Sequence, residues 1–146
     1  MINIKNSGSV ISEIDISAVE KALNIKFPSA YREFLLKFNG GRPQPNHFVI
    51  LNNPSDTHGI LEYFFGINAP DYSDIIKQHS IYANRIPKNL FPIATDPGGN
   101  LICIDLVTNK IFFWDHEEES EEGQIPSLKN IYPVANTFEE LLNNLT

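Results

Sequence analysis

The stretch FPIATDPGGNLICIDLVTNKIFFWD, residues 91 to 115, constrains the fold more than any other part of this chain. Two apolar runs flank the turn-forming DPGGN, and LICI and IFFW flank LVTNK in the same way. Runs rich in β-branched and aromatic residues, separated by Gly, Pro, Asn and Asp, specify strands joined by tight turns. The stretch therefore predicts a three-stranded antiparallel meander. LICI is apolar at every position, where a strand with one wet face would alternate, so the middle strand is expected to be covered on both sides. Alternation in IFFW places Phe112 and Trp114 on one face and Phe113 on the other, with one of those faces approaching the surface near the residues that follow.

A sheet covered on both faces needs other layers, and the rest of the chain supplies them. Ser17 and Glu20 have capping-box spacing, and AVEKAL continues as a short helix. Pro28 suits the first turn of a second helix, in which Tyr31, Phe34, Leu35 and Phe38 form one apolar stripe. Asn39-Gly40-Gly41 ends it, because these residues accept the left-handed conformation at a helix C-terminus. HFVIL and ILEYFFGI read as further strands. Asp71 or Ser73 is expected to cap a third helix that turns Tyr72, Ile75, Ile76, His79 and Tyr82 toward the core, with Pro87 closing the segment. IYPVA reads as a last strand, and Thr137 with Glu140 repeats the capping-box spacing ahead of FEELLNNL. Residues 1–11 are expected to be extended. The fold class is α+β: a single domain over residues 1–146, with helices packed around a mostly antiparallel, several-stranded sheet. A chain of 146 residues is long enough to bury roughly 70% of the surface its unfolded form exposes.

Charge is distributed unevenly. The chain carries 18 acids and 11 bases, and six of the acids, Asp115, Glu117, Glu118, Glu119, Glu121 and Glu122, fall in WDHEEESEEGQ. Without them the chain would be nearly neutral, so its −7 charge amounts to one acidic loop, residues 115–124, on a balanced body. Such a balance argues against direct nucleic-acid binding, which requires basic surface. One cysteine excludes an internal disulfide framework, MINIKNSGSV lacks an apolar signal core, and no apolar run approaches the length of a bilayer span. The expectation is a soluble, cytoplasmic chain that does not engage a membrane.

Motifs that carry chemistry are sparse. His47, His58, His79 and His116 form no H-x-H or i, i+4 pair, so no zinc site is assigned. An EF-hand register starting at Asp115 puts Ser120 where the loop needs glycine and Pro126 where it needs a bidentate glutamate. Cys103 sits in an apolar strand, where a thiol resists ionisation. No serine lies in a G-x-S-x-G elbow, and the Gly98-Gly99 and Gly40-Gly41 pairs lack the context of a phosphate loop. Asp96 and Asp105 bracket a strand at hairpin ends, where carboxylates serve turns more often than acid–base chemistry. The sequence names no catalytic residue and no cofactor, and an enzyme is not expected.

Taken in order, AVEKALNIKFP, SAYREFLLKFNGG, FPIATDPGGNLICIDL and IFFWDHE resemble the SUKH superfamily, over roughly residues 13 to 145. Pro28 with Tyr31 and Phe34, Asn39-Gly40-Gly41, Phe91-Pro92-Ile93-Ala94, Gly99-Asn100 and Trp114 carry the likeness. Its first subfamily groups bacterial immunity proteins with a fungal cell-wall synthesis regulator. The resemblance implies helices around a several-stranded sheet and an immunity role, in which the chain binds a cognate toxin domain and shields the producing cell. The alternative it implies is a regulatory adaptor that binds signalling proteins. One departure is Asn100, where many relatives carry aspartate after the glycine. A nuclease toxin, with a basic cleft for its substrate, is the case an acidic plug would fit. The candidate partner-binding residues are then Asp115, Glu117, Glu118, Glu119, Glu121 and Glu122 for steering and pairing, with Trp114 as aromatic anchor. The competing reading of the run is a solvated, mobile loop that keeps the chain soluble. Whether the chain self-associates is left open.

Overall fold

The computed structural model describes residues 2–146, and the meander forms its centre. Three strands, β6 (Leu90–Thr95), β7 (Leu101–Asp105) and β8 (Ile111–Trp114), pair antiparallel, and β5 (Tyr63–Phe64) and β9 (Ile131–Ala135) extend the sheet to the order β5-β6-β7-β8-β9. Ile102 lies opposite Phe113 and Leu101 opposite Trp114, so a buried aliphatic side chain meets a buried aromatic one across the strands. Every residue of β7 is buried, as its unbroken apolar run predicts. Pro92 is accommodated by a register shift between Pro92 and Ala94, where the missing N–H breaks no regular ladder.

The remaining strands are short. β1 (Asn3–Lys5) pairs with β2 (Arg42–Gln44), and β3 (His47–Val49) pairs with β4 (His58–Ile60), giving two small two-stranded sheets. ILEYFFGI is therefore divided: Ile60 ends β4, and Tyr63–Phe64 joins the main sheet as β5. Phe48 of β3 packs near Phe113, with ring centroids 6.1 Å apart, so the β3–β4 hairpin covers that side of β8.

Helix α1 (Glu13–Leu23) starts earlier than Ser17 predicts. Its capping box is Ser12 with Asp15: the Asp15 N–H donates to Ser12 Oγ at 3.4 Å, and the Ser12 N–H donates to Asp15 Oδ2 at 2.8 Å. The earlier start brings Ile16 and Val19 into the core. Glu20 is thereby free of capping; buried, it accepts the Phe27 N–H at 2.7 Å and pairs with Arg32 of the next helix. That pairing gives a buried carboxylate the partners it requires. Helix α2 (Ser29–Lys37) follows Pro28 at its N-cap and buries Tyr31, Phe34 and Leu35, whereas Phe38 stays half-buried.

An aromatic cluster joins the helices to the sheet. Tyr31 meets Phe138 of α4 (Phe138–Asn144) at 5.2 Å, Phe34 meets Phe64 at 4.7 Å, and Phe27 meets Phe91 at 5.2 Å. Asn39, buried and left-handed (φ 49°), ends α2 and stitches two distant segments. Its Nδ2 donates to Ser9 O (2.9 Å) and Ile67 O (2.8 Å), and its Oδ1 accepts the Ile67 N–H at 2.7 Å. Gly40 (φ 95°) lies so close to β5 that an added Cβ would sit 3.0 Å from Phe64 O, a tight contact that adds to the strain of a left-handed backbone and favours glycine.

Helix α3 (Ile75–Tyr82) corrects two expectations. Asp74 caps it, accepting from the Ile76 and Lys77 N–H groups at 3.0 and 3.1 Å, while Asp71–Ser73 forms a separate 3₁₀ turn. The phase of the helix follows from that start. Ile75 and Gln78 are buried, His79 stacks on Phe91 at 5.0 Å, and Ile76 and Tyr72 face solvent at 41% and 64% exposure. Among the described residues no helix is long and apolar enough to cross a membrane.

Candidate protein-binding surface

The acidic residues follow directly from β8, and the sheet decides how they are held. The Asp115 N–H donates to Asn130 O at 3.0 Å, and Asn130 Nδ2, fully buried, donates back to Asp115 O at 2.9 Å. These two bonds close the neck of a loop whose far side returns into β9. Asp115 Oδ1 then accepts the Glu117 N–H at 3.0 Å and starts a 3₁₀ turn, His116–Glu118.

His116 docks that turn onto the β6–β7 hairpin. Its backbone N–H donates to Asn100 Oδ1 at 3.0 Å, and its Nε2 donates to Gly98 O at 2.8 Å. Asp96 organises the hairpin itself, accepting from the Gly98 N–H, the Asn100 N–H and Asn100 Nδ2 at 2.9, 2.7 and 2.9 Å. This explains asparagine at position 100. An aspartate would still accept from His116 but would set a second carboxylate against Asp96, whereas the amide offers a donor to one side and an acceptor to the other.

Two further acids are tethered. Glu118 accepts from the Tyr132 hydroxyl at 3.0 Å. Glu119 takes Arg85 in a two-point pair, with Nη2–Oε1 at 2.7 Å and Nε–Oε2 at 3.1 Å. The Arg85 guanidinium also lies over Tyr82, 4.6 Å from the ring centroid, and 5.7 Å from that of Trp114. The hydrogen bond to Glu119 holds Arg85 more firmly cationic than a free arginine, against the opposing effect of lost hydration. Glu117, Glu121 and Glu122 are exposed and form no ion pair among the described residues.

Trp114 stands apart from the other candidates, and the expectation of an anchor at the surface is corrected. It is fully buried, with Tyr82 of α3 meeting it edge-on at 5.6 Å and Arg85 lying beyond. Strand alternation turned Trp114 to the side that α3 covers, so it supports the loop from below. Among the described residues its Nε1 has no hydrogen-bond partner, one of three buried side-chain polar atoms in that condition. Asp115 is likewise half-buried and occupied as a turn cap. Of the seven candidate residues, Glu117, Glu121 and Glu122 present charge unpaired among the described residues, Glu118 is engaged at one point, and Glu119 is engaged at both carboxylate oxygens.

Sequence reasoning missed the apolar part of this surface. Past the turn at Gly123 (φ 83°), Ile125 and Leu128 are 88% and 75% exposed. They line a groove of about 1240 Å³ between residues 119–128 and residues 83–88, which follow α3. The signal was present as IPSL inside a polar stretch, though four residues carry no periodicity to interpret.

The remaining reactive groups are occupied structurally. Cys103 is fully buried, and loss of hydration pushes its thiol far up. Burial would raise the Asp105 carboxyl, yet hydrogen bonds from Val107, Asn89 and Thr108 outweigh it and hold the group below its ordinary value as a turn cap. Among the described residues, no group of three or more His, Cys, Asp or Glu is placed to hold a metal ion.

Comparison with known proteins decides the lineage. The model of the SMI1 / KNR4 family (SUKH-1) matches residues 10–144. The chain belongs to the SMI1 / KNR4 family (SUKH-1). It is also similar to the SPbeta prophage-derived uncharacterized protein YokK of Bacillus subtilis (strain 168), at 30% identity over 152 residues, covering 94% of this chain and 76% of that protein. Within this SUKH-1 chain, the segments that carry the likeness build the framework. Tyr31, Phe34 and Phe91 sit in the aromatic cluster, Asn39-Gly40-Gly41 turns the chain onto β5, and Trp114 is interior. The acidic loop lies inside the matched region, and only its first residues, 115–117, fall within those segments.

Proposed function

We propose that this SUKH-1 chain is an immunity protein that binds a cognate bacterial toxin domain and neutralises it by covering its working site. A nuclease domain is the favoured partner, because a cleft built for a polyanion offers the Lys and Arg that an acidic loop pairs with. The observation that carries the reading is the state of the loop. Three glutamates that meet no cation among the described residues are held out on a segment tethered at Asp115, His116, Glu118 and Glu119. A tethered loop loses less conformational freedom on docking than a free one, so more of its interaction energy appears as affinity. Clustered charge also accelerates encounter and turns away like-charged partners. The chain acts in this role as a surface, with no reaction of its own.

The test is co-expression with the C-terminal domain of the large open reading frame that neighbours the gene. Survival of otherwise poisoned cells, with the two polypeptides co-purifying, is the expected result. Neither protection nor a complex would remove the immunity reading and favour a regulatory adaptor. Co-purification without protection would remove neutralisation while retaining the binding surface.

A further inference from the structure

The groove beside the loop has a composition that the acidic residues alone do not explain. Buried Ile86 and half-buried Pro87 and Pro126 contribute apolar lining, and Ile125 and Leu128 project into solvent at its edge. Val10, Ile14 and Val107 are comparably exposed, but none of them lines the groove. Glu121 and Glu122 stand on the same side as Ile125, and neither forms an ion pair among the described residues. Arg85 is occupied by Glu119, which leaves Lys88 on the opposite wall as the only other cation of the lining. The free charge of the groove is therefore acidic on one wall, next to its apolar edge.

That pairing selects an occupant. At about 1240 Å³ and open to solvent, the groove is wider than the roughly 300–1,000 Å³ clefts that enclose small molecules. A nucleic-acid strand would meet the glutamates, and a second copy of this chain would bring the same net charge of −7. A basic protein segment meets neither objection. We infer that the groove receives an extended segment of the toxin domain in which an apolar side chain stands beside Lys or Arg. The apolar side chain packs against Ile125, Leu128 and Pro126, and the cation meets Glu121 and Glu122. This rests on the reading of the chain as a toxin-binding protein and adds to it the chemistry of the segment that is bound. Steering by the outer charge sets how fast the partner arrives, and burial of the apolar contact sets how long it stays.

Two measurements test this separately from the immunity reading. In the first, the full chain is titrated with a short peptide alternating Leu and Arg, and with a Leu–Glu peptide as control, while backbone amide NMR shifts are followed. The Leu–Arg peptide is expected to shift residues 83–88 and 119–128, the Leu–Glu peptide to shift neither, and the double variant Ile125→Asp/Leu128→Asp to lose the response. Shifts spread over other surfaces, or a response unchanged in the double variant, overturn the inference. In the second, the double variant is compared with the wild type for affinity toward the toxin domain. About tenfold weaker binding that persists at high salt, with an unchanged melting temperature, is expected. Equal affinity overturns the inference. If the wild type ignores the toxin domain while the Leu–Arg peptide maps to the groove, the immunity reading falls and the groove remains a site for a basic, apolar protein segment.

Discussion

Arg85, just past α3, and Glu119, in the acidic loop, meet through two parallel hydrogen bonds of 2.7 and 3.1 Å across 34 residues of sequence. The pair is partly exposed, with 41% of the Arg85 side chain and 24% of that of Glu119 accessible, so its net effect on global stability is small, about 0.5 kcal/mol. Its consequence is local. It fixes one side of the groove to the other and holds the guanidinium over Tyr82 and Trp114. Glu119→Gln should therefore speed amide exchange at residues 118–124 about tenfold while leaving β6 to β8 unchanged. Trp114, the single tryptophan, should report the loosening as a change in fluorescence. Unaltered exchange in the loop would mean that the neck at Asp115 and Asn130 holds it alone.

Charge on the outer loop should act on rate more than on lifetime. Replacing Glu117, Glu118, Glu121 and Glu122 by Gln is expected to slow association with the toxin domain about tenfold at low salt. The difference should shrink as salt rises, since screening acts over about 8 Å at physiological ionic strength. Stopped-flow mixing at several salt concentrations measures both. Equal association rates at low salt would show that docking uses another surface.

Asn39→Ala should be among the most damaging single changes. It strips partners from the Ile67 N–H and from the Ser9 and Ile67 carbonyls, and it leaves alanine in a left-handed conformation. Stranded buried polar groups and the backbone cost together amount to about 3 kcal/mol. Urea denaturation measures this directly. Asn39→Gly isolates the hydrogen bonds, because glycine tolerates the backbone and should recover about 1 kcal/mol of the loss.

His79 gives the fold a pH dependence of definite sign. Loss of hydration against Phe91 lowers its pKa below the ordinary 6.5. Between the folded and unfolded values the unfolded chain binds more protons, so stability rises with pH through that window. The contribution is complete above the unfolded value and is lost as pH falls toward the depressed one. A His79→Phe variant should flatten this slope below pH of about 6.5, relative to the wild type, in paired thermal melts. Parallel curves for the two chains would remove His79 as the cause.

The meander was legible because its turns and strands are specified locally. DPGGN and LVTNK are turn chemistry wherever they occur between apolar runs, and β7 shows its burial in its own composition. Asn39-Gly40-Gly41 was legible as a helix stop for the same reason. Helix starts were less so. Ser12 and Ser17 each precede an acid three residues on, and the choice fell to the register that buries Ile16 and Val19 while giving Glu20 the partners Phe27 and Arg32.

By itself, then, the sequence determined the class of fold, the strand order at its centre and the place where charge gathers. These follow from periodicity, turn residues and composition, which act over a few neighbours. Tertiary structure decided which acids are free and which are engaged, that Trp114 lies beneath the surface, and that Ile125 and Leu128 edge a groove. Each of those depends on a partner far along the chain, such as Arg85 for Glu119 or Tyr82 for Trp114, and no local pattern encodes such a meeting.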